Sequence, residues 1–290
     1  MAIHSVIAMS QLSKDKIIRA GNTELLLCFF LYLDQLQIEY DPIHLKRFLN
    51  HLYLSSGYFD QCDFERYQVM SPNLKQFLSL WQASLRNAEL IVLQDSVNNM
   101  EQICAAEKDR FLQSLTVSQI TYRNSFDFER FTELVKDKRL LIVSPFAKLM
   151  QAQYDSGNLQ YVRSPFKPAS LAIYPFPYLF NHKQSADSLQ ALNLITVQLD
   201  ALLAQSPIDS VVLSCGCYGA PLADHLHRQG LNAYYFGGDL QIYFGIMGGR
   251  WRANIEKQAW FLGQKQYWVL ELAHEYLPEH PQTIENACYW

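Results

Sequence analysis

The chain has 290 residues, of which 49% are apolar and 13% aromatic, and its 24 basic and 28 acidic residues give a formal net charge of −4. This length permits one large α/β domain or two smaller ones, and the composition excludes a disordered or repeat protein. The net negative charge and the lack of any block rich in Lys and Arg argue against a nucleic-acid-binding surface.

The sequence shows no pattern typical of a secretory signal or of a membrane-spanning segment. The N-terminal stretch lacks the basic start and long apolar core of a secretory signal, and it reads MAIHSVIAMSQLSKDK. The longest strongly apolar run, from Leu25 to Leu33, is far short of the ~20 residues that cross a bilayer. The six cysteines show no zinc-ligand spacing, which favours free thiols in a reducing compartment. The sequence therefore predicts a cytoplasmic protein without a transmembrane segment.

Short apolar runs typical of β-strands alternate with helical patterns along the chain. Several of these runs are apolar throughout, as is typical of strands covered on both faces. The predicted strands are Lys16–Ile18, Glu89–Gln94, Arg139–Ser144, Ser170–Pro175, Ser210–Cys215 and Asn232–Phe236. Strand–helix alternation of this kind predicts a mostly parallel, doubly wound, Rossmann-like α/β sheet.

Several helices have recognisable beginnings or spacing. Asp41–Pro42 and Ser71–Pro72 each place an N-cap residue before a proline at the first helical position. Leucines recur at helical spacing from Ser185 to Gln205. The stretch of roughly residues 40–87 shows helices and no strand pattern. We interpret it as a helical insertion after the first strand that covers the site, within a single α/β domain spanning residues 1–290.

The chemically unusual residues of the chain follow the predicted strands. In an open parallel sheet, ligands bind at the carboxyl ends of the strands. The first strand is followed by RAGNTE, the third by PF, the fifth by GCYG and the sixth by GGDLQ. The predicted topology places these loops along one rim of the sheet.

The segment RAGNTEL has two interpretations. In the structural one, Asn22 caps a helix, Glu24 lies in its first turn and Arg19 pairs with a surface carboxylate. In the functional one, Arg19 binds a phosphate and Glu24 binds a divalent cation or an acceptor hydroxyl. Spacing alone favours the structural interpretation.

Two glycine clusters are also open to structural and functional interpretations. Gly216 and Gly219 form a Gly-x-x-Gly turn before an amphipathic helix, which suits a phosphate but is also typical of tight packing. In FGGDLQIYFGIMGGRW, Gly237–Gly238 can turn a strand into a helix that Asp239 caps, and an arginine can stack on the final tryptophan. The three later glycines of this segment favour a second backbone approach, to a bound anion.

Other catalytic signatures do not occur. The glycine turns match neither a Walker loop nor a complete G-x-G-x-x-G fingerprint, and the chain has no Gly-x-Ser-x-Gly elbow. The eight histidines are scattered, and His225 and His227 are two positions apart on a predicted helix, so their side chains do not share a face. Neither a histidine metal cage nor a histidine-based triad is predicted.

Five motifs occur in order along the chain: IIRAGNTEL, LLIVSPFAKLMQAQY, VVLSCGCYGAPLADHL, GGDLQIYFGIMGGRW and the tail IENACYW. Together they resemble an uncharacterised family often found in bacterial surface-polysaccharide loci, and the resemblance covers most of the chain. That family is similar to the glycosyltransferases of the D-type fold (GT-D), which have a Rossmann-like sheet and an early Arg-x-Gly-Asp-x-Glu motif. The link to the GT-D enzymes depends mainly on RAGNTE and on the α/β order.

The resemblance implies transfer of a sugar from a nucleotide-diphosphate donor to a glycan or lipid-linked acceptor. In GT-D enzymes the Asp-x-Glu pair implies a divalent cation, Mn²⁺ or Mg²⁺, that bridges the diphosphate. Asn22 and Glu24 stand at the matching positions, and the neutral Asn22 amide should hold a cation less tightly than a carboxylate. Alternatively, Arg19, Arg250 and backbone N–H groups neutralise the leaving diphosphate.

Loop position and resemblance together assign the candidate residues. Glu24 and Asp239 are the candidate catalytic residues, and Asn22 and Glu24 are the candidate metal ligands. The candidate nucleotide-sugar-binding residues are Arg19, Gly21, Asn22, Ser144, Gly216, Tyr218, Gly219, Gly237, Gly238, Gln241 and Arg250.

Two other functions stay open on the sequence. One is a non-catalytic nucleotide- or glycan-binding protein of the same pathway, in which an acid has been lost at Asn22. The other is a methyltransferase that uses S-adenosylmethionine, which also needs a parallel sheet and a glycine loop. That loop is expected after the first strand, where this chain has RAGNTE, so the methyltransferase is less favoured.

Overall fold

A computed structural model describes residues 15–60, 70–86, 88–93, 96–115, 119–122, 128–162, 167–177 and 187–273. The tail motif IENACYW, the N-terminal stretch before residue 15 and the predicted helix start at Ser185 lie outside these described residues, as does Gln94 at the end of a predicted strand. The strands and helices below belong to the described part of the chain.

The centre of the fold is a seven-stranded sheet in which all neighbouring strands are parallel. The strands are β1 (Lys16–Arg19), β2 (Leu90–Leu93), β3 (Gln119–Tyr122), β4 (Arg139–Ser144), β5 (Ser170–Pro175), β6 (Ser210–Leu213) and β7 (Asn232–Tyr235). Their order across the sheet is β3-β2-β1-β7-β6-β4-β5. The predicted parallel α/β fold is confirmed, and β3 is the strand that was not predicted. It has the short sequence QITY and lies at an edge of the sheet, where alternating polar residues are tolerated.

Helices connect the strands and cover both faces of the sheet. They are α1 (Asn22–Gln35), α2 (Pro42–Ser55), α3 (Pro72–Leu85), α4 (Ser96–Ser114), α5 (Phe128–Val135), α6 (Ala147–Asp155), α7 (Ser188–Leu203), α8 (Gly219–Arg228), α9 (Leu240–Tyr243), α10 (Gly249–Ile255) and α11 (Ala259–Leu262). Both predicted N-caps are confirmed, because Asp41 accepts from the backbone N–H of the second residue of α2 and Ser71 from that of the third residue of α3. None of the helices described is both long and apolar enough to cross a membrane.

Successive strand residues point to opposite faces, and each face has its own core. Ile18 and Val143 belong to the core under α1, α2, α3, α4, α7 and α8. Their neighbours Ile17 and Ile142 belong to the core under α5, α6, α9, α10 and α11. The sheet is therefore buried on both sides, which explains why most of its strands are apolar throughout.

Helices α2 and α3 occupy the region in which the sequence predicts a helical insertion. Both pack on α1, and α3 also packs on α8. Leu49, Phe77 and Trp81 are fully buried in the same core as one face of the sheet. The end of α2 reaches the loop after β6, where the Cys217 N–H donates to the Ser56 carbonyl at 3.0 Å. The two helices thus form a second helical layer on one face, and α2 ends at the carboxyl edge of the strands.

Strand β1 lies between β2 and β7, so the first strand of the chain pairs with the last. Lys16, Ile17 and Ile18 are in register with Ala233, Tyr234 and Tyr235. From β1 the chain winds outward through β2 to β3, whereas β7 is reached from the other half of the sheet. Loops that leave β1 and β7 therefore meet at the carboxyl edge.

Candidate functional site

The carboxyl ends of β1 and β7 bring an arginine and an aspartate together. Arg19 is the last residue of β1, and Asp239 ends the short turn that follows β7. The Arg19 Nε lies 3.7 Å from the Asp239 Oδ2, and the two side chains are 11% and 10% exposed. Because little water surrounds this pair, its attraction is stronger than that of an exposed ion pair at the same distance. Asp239 is the N-cap residue of α9, as predicted, but its side chain makes no capping bond and instead contacts Arg19.

Gly237 lets the Arg19 side chain lie directly against the backbone after β7. Its φ of +60° is in the left-handed region, and a Cβ atom at this position would lie 2.2 Å from the Arg19 Nη1. A residue with a side chain would therefore be strained in its backbone and would displace the guanidinium. The need for glycine here comes from a side chain far away in sequence.

Glu24 lies at the third position of α1 and is 5% exposed. A Cβ atom on Gly21 would lie 2.1 Å from the Glu24 Oε2, so the carboxylate folds back over the beginning of the helix. The N-cap residue is Gly21, not Asn22 as the structural interpretation predicted. The partial positive charge at the N-terminus of α1 stabilises a carboxylate in this position.

The groups around Glu24 come from several elements. Burial raises the pKa values of Cys28, Cys217 and Tyr235, and the Glu24 charge raises each of them further. Arg19 also acts on Tyr235 and lowers its pKa, which links Arg19 and Glu24 to the same phenol. Both thiols and the phenol therefore stay neutral at neutral pH, and neither thiol is an activated nucleophile.

His51 of α2 is a candidate functional residue that the sequence interpretation missed. His51 is exposed at the surface, yet partial desolvation lowers its pKa; the Glu24 carboxylate opposes this, and Arg250 and Arg47 lower the pKa further. Charged groups from α1, α10 and α2 itself thus act on one imidazole. The available sequence signal was only its place on a helix of the predicted insertion, since the packing of α2 near α1 cannot be read locally.

Arg250 lies at the second position of α10 and acts on His51. Its Cζ is 5.8 Å from the centroid of the Trp251 ring, as the structural interpretation predicted. Arg250 and Glu24 thus act in opposite directions on the pKa of His51.

Packing of protein groups accounts for two of the later glycines in the segment 236–251. Gly245 has a φ of +67°, and a Cβ atom there would lie 3.0 Å from the Gln153 Nε2. A Cβ atom on Gly248 would lie 2.6 Å from the Trp251 ring. Contacts within the protein are therefore sufficient to explain these two glycines.

The Gly-x-x-Gly turn after β6 is also filled by protein groups. Gly216 has a φ of +54°, and a Cβ atom there would lie 2.6 Å from the Ser56 carbonyl oxygen. The Tyr235 hydroxyl donates to the Gly216 carbonyl at 2.7 Å. A Cβ atom on Gly219 would lie 2.1 Å from the Tyr235 ring. These contacts favour the packing interpretation for both glycines.

Three other candidate ligand residues, Tyr218, Ser144 and Gln241, are buried inside the protein. The Tyr218 hydroxyl is hydrogen-bonded to the Ser188 Oγ at 2.8 Å. Ser144 is fully buried, and its Oγ accepts from the backbone N–H two residues later. Gln241 is fully buried in α9. Gly238 is half-buried in the turn that holds Asp239.

Asn22 and Glu24, the candidate metal ligands, both lie in the first turn of α1. They are the first and third residues of α1, so they lie about 200° apart around the helix axis and do not share a face. The Asn22 Oδ1 is enclosed and has no hydrogen-bond partner in the described part of the chain. The described residues also contain no group of three or more His, Cys, Asp and Glu side chains that could hold a metal ion.

The chain matches no protein-family model, and no curated protein or solved structure matches it. A parallel α/β fold hosts many unrelated chemistries, so the fold alone does not assign a function. The residues at the carboxyl edge of β1 and β7 are therefore the basis for the proposal below.

Proposed function

We propose that the protein is a cytoplasmic glycosyltransferase of surface-polysaccharide biosynthesis. It would transfer a sugar from a nucleotide-diphosphate donor to a glycan or lipid-linked acceptor. The observation that carries the proposal is the meeting of Arg19, Glu24 and Asp239 around β1 and β7, at the edge where parallel sheets bind ligands. The reaction class comes from the resemblance of the sequence motifs to the polysaccharide-locus family and to the GT-D enzymes.

In the proposed reaction, arginines stabilise the leaving group. Negative charge grows on the nucleotide diphosphate as the bond to the sugar breaks, and preorganised cationic groups stabilise that charge. Arg19 is held in place by Asp239 and by the space above Gly237, so its orientation is set before a ligand binds. Arg250 supplies a second positive charge near His51.

Asp239 and Glu24 then have different roles at this edge. Asp239 is already paired with Arg19, and its role is to orient the guanidinium. Glu24 is the carboxylate left to interact with substrate. The neutral form of His51, favoured by its lowered pKa, is able to accept a proton from an acceptor hydroxyl.

Isothermal titration of UDP-glucose, UDP-N-acetylglucosamine and GDP-mannose, with and without Mn²⁺, tests the donor assignment. Arg19→Gln should weaken binding of the preferred donor by about tenfold or more, because a charge-assisted hydrogen bond to phosphate is lost. The matched control is Arg139→Gln at the beginning of β4, on the opposite edge of the sheet, which should bind as the wild type does.

Two results would count against the proposal. Absence of binding by all three nucleotide sugars rejects the donor class. Binding without transfer to any acceptor, unchanged by Glu24→Gln, identifies a non-catalytic nucleotide-binding protein instead.

A further inference from the structure

Glu24 is a buried carboxylate that forms no hydrogen bond or ion pair within the described part of the chain. It is 5% exposed, and no hydrogen bond or ion pair joins it to another residue of the described ranges. A buried carboxylate in a folded protein is ordinarily hydrogen-bonded or paired, because an unsatisfied one is costly. A ligand that donates hydrogen bonds would satisfy this carboxylate.

The position of Glu24 in α1 stabilises its charge but supplies no hydrogen bond. A glutamate at the third helical position can accept from the N–H of the N-cap residue, as in a capping box. The carboxylate does fold back over Gly21, but no such bond forms. The two carboxylate oxygens of Glu24 are hydrogen-bond acceptors, and no donor of the described residues reaches them.

The surroundings of Glu24 favour a neutral donor over a cation. Among the groups on which its charge acts, Cys28, Cys217 and Tyr235 are uncharged at neutral pH, and the lowered pKa of His51 favours the neutral imidazole. Asp239 is paired with Arg19, and Asn22 lies on another side of the helix. A hard divalent cation needs several converging oxygen ligands, and Glu24 alone brings one carboxylate. Two hydroxyl groups, by contrast, can be bound by a single carboxylate, because each donates a hydrogen bond to one of its oxygens.

We propose that Glu24 binds the sugar hydroxyls of the substrate, accepting O–H donors from two adjacent hydroxyl groups. The inference rests on the proposed function, since it names the part of a nucleotide sugar that Glu24 recognises. Acidic residues bind the ribose hydroxyl in dinucleotide-binding sheets by the same chemistry. Both the transferred hexose and the ribose of the donor carry such hydroxyl pairs, and the two sources are separated below.

The test measures binding in EDTA, so that no divalent cation contributes. Glu24→Gln keeps the length of the side chain and remains compatible with a capping box. It should weaken UDP-glucose or GDP-mannose by about tenfold to a hundredfold, the effect of losing hydrogen bonds to a charged acceptor. The matched control is Glu107→Gln on α4, because Glu107 is also buried but is hydrogen-bonded by Tyr32 and Arg110. Its nucleotide-sugar affinity should not change.

Nucleotides that lack the hexose or the ribose 2′-hydroxyl identify which sugar Glu24 recognises. If the hexose is recognised, Glu24→Gln leaves the affinity for UDP or GDP unchanged. If the ribose is recognised, Glu24→Gln weakens UDP but not 2′-deoxy-UDP. Either pattern supports the inference.

Other outcomes overturn it. Equal affinity of the wild type and Glu24→Gln for every nucleotide sugar removes Glu24 from recognition. Binding that EDTA abolishes and Mn²⁺ restores identifies a cation ligand instead. If the wild type binds no nucleotide sugar, the proposed donor class is rejected. Saturation-transfer NMR with free monosaccharides then tests separately whether Glu24 binds sugar hydroxyls. Sugar binding that Glu24→Gln removes then supports the inference, and no sugar binding by the wild type overturns it.

Discussion

At the scale of single residues, the candidate site depends on how Arg19 is held. The guanidinium is fixed on one side by Asp239 and on another by the bare backbone of Gly237. A rigidly placed arginine loses less conformational freedom when it binds an anion than a mobile one does. Changes that move Arg19 without removing it should therefore affect ligand binding.

Gly237→Ala should both destabilise the fold and weaken nucleotide binding. A left-handed backbone costs alanine about 1 kcal/mol, and the new methyl group would overlap the Arg19 Nη1, which raises the expected loss to about 2 kcal/mol. The matched control is Gly230→Ala, whose φ is +85° but whose Cβ would meet nothing within 4 Å. Urea unfolding and isothermal titration measure the two effects. Equal losses of stability in both variants would contradict the proposed contact with Arg19.

At the scale of elements, helix α2 joins the insertion to the edge of the sheet. Its end accepts a hydrogen bond from the Cys217 N–H, and its residue His51 is affected by charges on α1 and α10. The helix is therefore part of the candidate site as well as of the hydrophobic core.

His51 should make stability depend on pH, in a direction set by its lowered pKa. Because the folded pKa lies below the unfolded value of about 6.5, the unfolded state binds the proton more readily. Stability is then lost as the pH falls from about 7.5 through 6.5 toward the folded pKa. The groups that act on the imidazole are Glu24, Arg250 and Arg47.

The free energy of unfolding, measured in urea across this pH range, checks the expectation. His51→Gln should flatten the dependence, whereas His44→Gln on the same helix is the control. A steeper dependence in His51→Gln than in the wild type would show that the charge on His51 stabilises the fold. NMR titration of the imidazole gives the sign of the pKa shift directly.

Helices and strands with local sequence signals were predicted correctly. The N-caps of α2 and α3 are local, because Asp41 and Ser71 bond to N–H groups two and three residues away. Strands β4 and β5 were predicted with their observed bounds, since an apolar run between turns is a local signal as well. The short edge strand β3 carries no such run and was missed.

The candidate site was predictable only in part, for a related reason. Arg19, Glu24 and Asp239 follow strands, so a parallel topology was enough to place them at one edge. His51 and the true reason for Gly237 depend on contacts between elements far apart in sequence. Such contacts leave no periodicity or motif in a single sequence, so the sequence could not show that protein groups pack against these glycines.

At the scale of the whole molecule, the insertion and the sheet share one core. Phe77 of α3 is fully buried, with its ring centroid 5.1 Å from that of Tyr58 and 5.8 Å from that of Tyr218. These rings connect α3, the segment after α2 and the loop after β6. The layer built by α2 and α3 should therefore unfold together with the sheet.

Phe77→Ala should lower the stability of the whole molecule by about 3–5 kcal/mol, the usual cost of removing a large buried side chain. The control is Leu80→Ala on the same helix, where the side chain is 43% exposed and the expected loss is below about 1 kcal/mol. Circular dichroism and tryptophan fluorescence during urea unfolding should give coincident single transitions. A separate early transition in Phe77→Ala would show that the insertion unfolds independently.

The pairing of β1 with β7 has a consequence for how the protein is made. The Asp15 N–H donates to the Asn232 side chain across 217 positions of sequence, and β1 cannot gain this neighbour until β7 has left the ribosome. Contacts of such long range close late in folding, because the intervening chain must first be brought together. Arg19 and Asp239 sit on either side of that late junction. A polypeptide that ends before β7 therefore lacks the carboxyl edge formed by β1 and β7. Ligand affinity would then report whether the two strands have paired.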